Sequence, residues 1–112
     1  MTKGKPVLTH VTYYPKKGKE QELLALIKKH WPALRAIGLA TDEPAQVYQA
    51  HDKRSGNTYF IEIFAWRDEN ASSVAHQTPE VMAVWEPMGS IMESWNGTGS
   101  PIAIAEIEKI PL

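Results

Sequence analysis

The chain has 112 residues, which is enough for one domain with a modest core and too few for a second domain. Its 12 Lys and Arg residues against 13 Asp and Glu give a formal net charge of -1, so nothing in the charge balance points to nucleic acid or an anionic membrane as a partner. Cysteine is absent, which excludes disulfides, thiolate metal sites and cysteine nucleophiles.

The chain carries no sequence signal for export or for a membrane. Residues 1–6 include lysines but are not followed by an apolar segment of signal-peptide length. No run approaches the roughly 20 apolar residues that a membrane helix needs. We therefore expect a single-domain cytoplasmic protein, residues 1–112, with no membrane partner.

The first half of the chain predicts a strand followed by a helix. Residues 7–14 alternate β-branched and aromatic side chains and stop at Pro15. Residues 19–37 have apolar side chains at three- and four-residue spacing, with Gly38 as a natural C-terminal stop. Pro32 lies inside this helix and predicts a kink or break that displays His30 and Trp31.

A β-hairpin is predicted next. Residues 45–51 read as a strand, and the charged loop 52–57 is short enough to join it to the following strand in antiparallel fashion. That following strand, residues 59–66, is the most apolar run in the chain and has Glu62 in its middle. Both of its faces are largely apolar, so we expect both to be covered.

The last part of the chain predicts two helical segments and a final strand. Asp68 is a plausible N-cap for a short helix to about residue 76, and Thr78 and Pro79 read as the cap and first residue of a second helix. Pro87 predicts a bend in that second helix. An apolar stripe along it, which we interpret first as core packing, consists of Val81, Val84, Trp85, Met88, Met92 and Trp95. After a loop at residues 96–101, the last strand is marked by Ile102, Ile104, Ile107 and Ile110.

The order of elements, β-α-β-β-α-β, is typical of an α+β ferredoxin-like fold, a four-stranded antiparallel sheet with helices on one face. In this arrangement we expect strands one and three to be central, parallel neighbours. The helix-free face needs a cover because strand three is apolar on both sides. A second copy of the chain would supply it, so we expect a homodimer.

Four histidines and one mid-strand carboxylate are the candidates for chemistry. Glu62 needs a partner if it is buried, and His10 on the neighbouring strand could supply it if register and face agree. Such a pair could take the proton from a phenolic substrate, or it could be a structural polar pair. His76 precedes the second helix start, where it could face a pocket or bond a backbone carbonyl.

Three short segments resemble one protein family. They are the turn Pro15-Lys16-Lys17-Gly18-Lys19, the strand end Trp66-Arg67-Asp68-Glu69, and His76-Gln77-Thr78-Pro79-Glu80. Together with the order of elements over about residues 7–95, they resemble the antibiotic biosynthesis monooxygenase (ABM) family of dimeric α/β-barrel proteins. The resemblance implies a homodimer with a pocket between sheet and helices in each subunit. Some members oxidise polycyclic phenols or quinols with oxygen and no cofactor, and others degrade haem.

The haem-degrading branch of the family does not match at its key positions. Its Asn, Trp and His would fall at or near Val11, Ala75 and Trp85, and none agrees. In the quinol-oxidising branch the segment at 75–80 reads more like His-Leu-Gln-Thr-Pro-His. Here His76 is displaced by one position and Glu80 replaces the second His.

The resemblance favours a cofactor-independent monooxygenase acting on an aromatic or quinol-type small molecule. The alternative is a non-catalytic dimeric protein that binds small molecules. For the oxygenase we expect His76, His10 and Glu62 to be catalytic and no metal or cofactor to be bound. The expected substrate-binding residues are Trp66, Trp85, Tyr48 and Tyr14. We place the pocket between strands one and three and the segment from His76 to Trp85.

Overall fold

The structure is a computed structural model that describes residues 4–94 and 100–112. Its elements in chain order are β1 (Val7–Tyr13), α1 (Glu20–Ala36), β2 (Gln46–His51), β3 (Thr58–Trp66), α2 (Ala71–Ala75), α3 (Pro79–Gly89) and β4 (Ile102–Glu106). Trp95 and most of the predicted loop 96–101 lie outside the described residues. No helix in the described ranges is both long and apolar enough to cross a membrane.

The four strands form one sheet in the order β2-β3-β1-β4, and every neighbouring pair is antiparallel. The ferredoxin-like α+β fold predicted from the sequence is confirmed. The expectation that strands one and three are parallel is wrong, since β1 and β3 pair antiparallel with Val11 opposite Glu62. The cause is the tight hairpin after β2, which reverses the chain and brings β3 back between β1 and β2.

The two faces of the sheet differ in burial. On β3 the side chains of Phe60, Glu62, Phe64 and Trp66 are buried beneath the helices, while the alternate side chains are only partly buried. We call the second side the open face. It includes Leu8, His10, Tyr48, Ile61 and Ile63.

Helix α1 packs a narrow stripe onto the sheet. The buried stripe consists of Leu23, Ile27, His30 and Leu34. Of the kink or break predicted at Pro32, the break is wrong, because the helix continues through that residue, and His30 is buried instead of displayed. Pro32 and Lys28 are both exposed, and water can therefore satisfy the Lys28 carbonyl that the proline leaves without its helical partner. Gly38 has φ 75, which confirms the predicted helix stop.

The second helical region begins as predicted at Pro79, but its caps differ from expectation. Asp68 is not the N-cap of α2, because Asn70 occupies that position and donates its N–H to Asp68 Oδ1 at 2.9 Å. Thr78 precedes α3, yet its hydroxyl donates to the Val74 carbonyl at 2.7 Å and does not cap the helix. The helix continues through Pro87 to Gly89.

Candidate functional site: a pocket between sheet and helices

A pocket of about 280 Å³ lies between the helix-covered face of the sheet and the three helices. Its lining consists of Thr9, Val11, Tyr13, His30, Phe64, Trp66, Ser72, His76, Trp85, Met88, Met92, Ile102 and Ile104. This is the location that the sequence predicted. The lining is mainly apolar and contains no Asp, Glu, Lys or Arg among the described residues, so it suits a neutral and largely apolar ligand.

A buried polar cluster stands behind the pocket wall. Glu62 is 0% exposed at the centre of β3, and its Oε1 accepts a hydrogen bond from the Tyr13 hydroxyl at 2.6 Å. The same oxygen lies 2.8 Å from His30 Nδ1. Tyr13 and His30 are 2% and 3% exposed, so the whole cluster is withdrawn from bulk water. Two hydrogen bonds thus converge on Oε1, whereas Glu62 Oε2 is buried and has no hydrogen-bond partner among the described residues.

His10 is not the partner of Glu62, so the expected contact is wrong. In the register of β1 against β3, Val11 lies opposite Glu62, and His10 lies opposite Ile63. Because successive side chains of a strand point to opposite faces, His10 lies on the open face and Glu62 on the helix-covered face. The odd-numbered positions of β1 face the helices, and this brings Tyr13 to Glu62.

His30 is the imidazole that sequence reasoning missed. It follows Ile27 by three residues and precedes Leu34 by four, and it therefore lies on the buried stripe of α1. That spacing was visible in the sequence. The proline at the second position after His30 instead suggested a bend that would expose it.

With Glu62 as a carboxylate, the hydrogen bonds assign a role to the Nδ1 atom of His30. Burial, together with the neighbouring Glu62 carboxylate, raises the pKa of Tyr13 well above its usual value, so its phenol keeps the proton that it donates to Oε1. The same oxygen then accepts from His30, which requires the proton on Nδ1. In the neutral imidazole Nε2 then carries the free lone pair. It is buried and has no hydrogen-bond partner among the described residues.

Aromatic rings surround His30 on the pocket side. The imidazole meets Phe64 edge to face at 5.3 Å and lies 5.8 Å from the ring of Trp85. Trp85 in turn contacts His76, whose ring centroid is 4.8 Å away. His76 is exposed, so it stands at the rim of the pocket.

The other predicted site residues fall into two groups. Trp66 and Trp85 line the pocket. Tyr48 does not line it, because it is 50% exposed and lies opposite Ile61 on the open face. Tyr14 is also absent from the lining, and its ring lies 5.7 Å from that of Tyr59. Within residues 4–94 and 100–112, no three His, Cys, Asp or Glu side chains are grouped so as to hold a metal ion.

Comparisons with known proteins extend this description at the level of the fold. No family model matches the sequence, and no curated protein matches it. A solved antibiotic biosynthesis monooxygenase is similar, with 12% identity, a TM-score of 0.66 and coverage of 94% of this chain and 99% of that one. SnoaB, a cofactor-independent oxygenase from Streptomyces nogalater, is also similar. It has 11% identity and a TM-score of 0.63, and the match covers 96% of this chain and 97% of that one.

A protein from Mycobacterium tuberculosis gives 14% identity, a TM-score of 0.62 and coverage of 96% of this chain and 98% of that one. The fold of this protein is thus the fold of solved ABM structures over nearly the whole chain, as the sequence resemblance implied. At these identities the likeness concerns the fold, and the chemistry has to be argued from the site.

Proposed function

We propose that the protein is a cofactor-independent monooxygenase that oxidises a small aromatic phenol or quinol in the pocket, with His30 as the proton acceptor. The observation that carries the proposal is His30, a residue of the apolar pocket lining whose buried Nε2 has no hydrogen-bond partner among the described residues and whose Nδ1 is hydrogen-bonded to Glu62. A carboxylate that orients an imidazole in this way makes it an effective general base. The fold shared with SnoaB, itself a cofactor-independent oxygenase, supports the same class of reaction.

The proposed chemistry begins with the substrate hydroxyl. His30 Nε2 takes its proton, and the buried Glu62 stabilises the imidazolium that forms. The resulting electron-rich phenolate or carbanion reacts with O₂ directly. For an anthrone-type ring the balance is a CH₂ group plus O₂ giving a carbonyl plus water. The substrate supplies all the electrons, so no redox cofactor is needed.

The predicted catalytic residues acquire separate roles in this proposal. Glu62 acts through His30, because it lies behind the pocket wall and does not line the pocket. His76 and Trp85 hold the outer part of the ligand at the rim, and Trp66 flanks its flat body. His10, Tyr14 and Tyr48 are left out of the proposed site, since none of them lines the pocket.

An oxygen-electrode screen tests the proposal. Anthrone, 1,4-dihydroxynaphthalene and related phenols are offered to the purified protein with EDTA present. We expect at least one to be consumed with one O₂ per substrate and with the added oxygen in the product when ¹⁸O₂ is used. Binding of these compounds without any protein-dependent oxygen uptake would contradict the oxygenase.

The alternative function is binding without catalysis. The segment at residues 75–80 favours it, because Glu80 stands where the resemblance to quinol-oxidising members leads one to expect a histidine. The apolar lining would retain a ligand with or without chemistry. The oxygen screen separates the two functions when it is accompanied by a binding measurement on the same compounds.

We also propose that the protein is a homodimer formed through the open face. Leu8 is 39% exposed there, and Ile61 and Ile63 on the adjacent central strand are only partly buried. An apolar sheet face of this kind is unusual for a monomer in water. A second copy packed sheet to sheet would cover it and leave the pocket, on the other side of the sheet, free.

A further inference from the structure

We propose that the pocket selects the hydroxyl form of an aromatic ligand over its oxidised carbonyl form, because His30 presents a bare acceptor to the ligand. The inference rests on the proposed function for the choice of an aromatic ligand. Its own content is a binding preference, which exists whether or not the ligand is turned over. The affinity of the pocket would therefore depend on the oxidation state of the ligand.

The argument starts from the polar atoms of the pocket wall. The Tyr13 hydroxyl is committed to Glu62 at 2.6 Å, and the Thr9 hydroxyl donates to the Val7 carbonyl at 3.2 Å. Neither hydroxyl hydrogen is therefore available to a ligand. Ser72 is half-buried and His76 is exposed, so both can bond water when the pocket is empty. His30 Nε2 is the buried nitrogen of the described lining that lacks a partner.

Glu62 and Tyr13 determine whether this nitrogen is a hydrogen-bond donor or acceptor. With Oε1 accepting from both Tyr13 and His30, the imidazole proton stays on Nδ1 and the lone pair stays on Nε2. A ligand O–H at this point donates to the lone pair and satisfies it. A ligand carbonyl brings a second lone pair to the same point, so the buried Nε2 stays unpaired and the two acceptors repel.

This preference has a consequence for an oxygenase cycle. A substrate arrives with an O–H at the position to be deprotonated, and oxidation to a quinone removes that donor. The product then loses its bond to His30 while the apolar contacts stay the same. Product release is favoured for this reason.

Matched small probes test the preference directly. Anaerobic calorimetry compares 1-naphthol, 1-methoxynaphthalene and 1,4-naphthoquinone, which share the bicyclic ring and differ in the donor. We expect 1-naphthol to bind about tenfold more tightly than either of the others, which corresponds to about 1.4 kcal/mol. Equal affinities, or tighter binding of the quinone, would overturn the inference.

The variant His30→Phe removes the acceptor and keeps a planar ring. The ratio of naphthol to ether affinities should fall to about one, while His51→Gln, at an exposed histidine on β2, should keep the wild-type ratio. A His30→Phe protein that retains the tenfold ratio contradicts the assignment.

A measurement on the wild type covers the case in which His30→Phe does not fold. Side-chain ¹⁵N NMR should find His30 protonated on Nδ1 and bare on Nε2, with the Nε2 resonance moving on addition of 1-naphthol and not of the ether. A proton found on Nε2, in either the neutral or the charged ring, overturns the inference. None of these readouts involves oxygen, so loss of the preference and loss of oxygen uptake are separate results.

Discussion

At the scale of single residues, the sequence identified the unusual carboxylate and misidentified its partner. Glu62 stands out because a charged residue in the middle of an apolar strand requires a buried partner. Choosing that partner requires the register of β1 against β3 and the packing of α1 over the sheet. These depend on long-range contacts that no local pattern encodes. Both true partners carry a local signal, since Tyr13 ends a strand and His30 lies on an apolar stripe.

Tyr13 should make the stability of the protein sensitive to alkaline pH. Its pKa is raised above the ordinary 10.0, so the folded state keeps a proton that the unfolded state loses. The stabilisation is complete below pH 10 and is lost as pH rises towards the higher folded value. Tyr13→Phe should lower the free energy of unfolding by about 1–2 kcal/mol at pH 8 because Glu62 loses a buried donor.

Urea denaturation between pH 8 and pH 11 checks this prediction. The gap between wild type and Tyr13→Phe should narrow above pH 10, whereas Tyr48→Phe, at a half-exposed side chain, should follow the wild type throughout. A constant gap at every pH would show that the Tyr13 proton is not linked to folding.

His76 should matter for binding and little for stability. It is exposed and its ring contacts Trp85 at the pocket rim, so its removal opens no cavity in the core. We expect His76→Ala to weaken binding of 1-naphthol several-fold and to leave the melting temperature almost unchanged. Calorimetry on this variant measures the affinity for 1-naphthol, and thermal unfolding measures its melting temperature. A lowered melting temperature with binding intact would remove His76 from the site.

At the scale of elements, the periodicity of apolar residues predicted which segments form helices and strands. The contacts of individual side chains determined how those elements begin and end. The alternation in residues 59–66 and the spacing in α1 identified both elements to within a residue or two. Pro32 does not break the helix, because the hydrogen bond that it removes belongs to the carbonyl of Lys28, an exposed residue that water can reach. Thr78 occupies the N-cap position of α3, but its hydroxyl donates to a carbonyl of the preceding turn and makes no capping bond. Such choices depend on neighbours outside the local sequence.

At the scale of the whole molecule, both faces of the central strand organise the protein. The face with Glu62 carries the pocket and its polar cluster, and the open face carries apolar side chains that one chain alone does not cover. From the two apolar sets of residues 59–66 the sequence predicted that both faces would be covered, one by the helices of the chain and the other by a second copy. The parallel pairing expected for strands one and three did not affect this conclusion, since the direction of a strand leaves the alternation of its own side chains between the two faces unchanged.

The homodimer should depend on the centre of the open face. Ile63 lies there on β3, opposite His10 on one neighbour and Gln46 on the other. Light scattering of the wild type should give twice the 12.6 kDa of one chain, and Ile63→Asp should give one chain, since it buries an unpaired charge in the interface. Val74→Asp, at a 44% exposed side chain on α2, is the matched control and should stay dimeric. A wild type with the mass of one chain contradicts the dimer.

The central claim is that His30, oriented by Glu62, performs the proton transfer of an oxygenase. The most direct measurement is the rate of oxygen uptake by His30→Gln, beside His51→Gln as control, with the best substrate of the screen. We predict a loss of about 10²-fold or more for His30→Gln and an unchanged rate for His51→Gln, with both variants folded by circular dichroism. A folded His30→Gln protein that consumes oxygen at the wild-type rate would contradict the account.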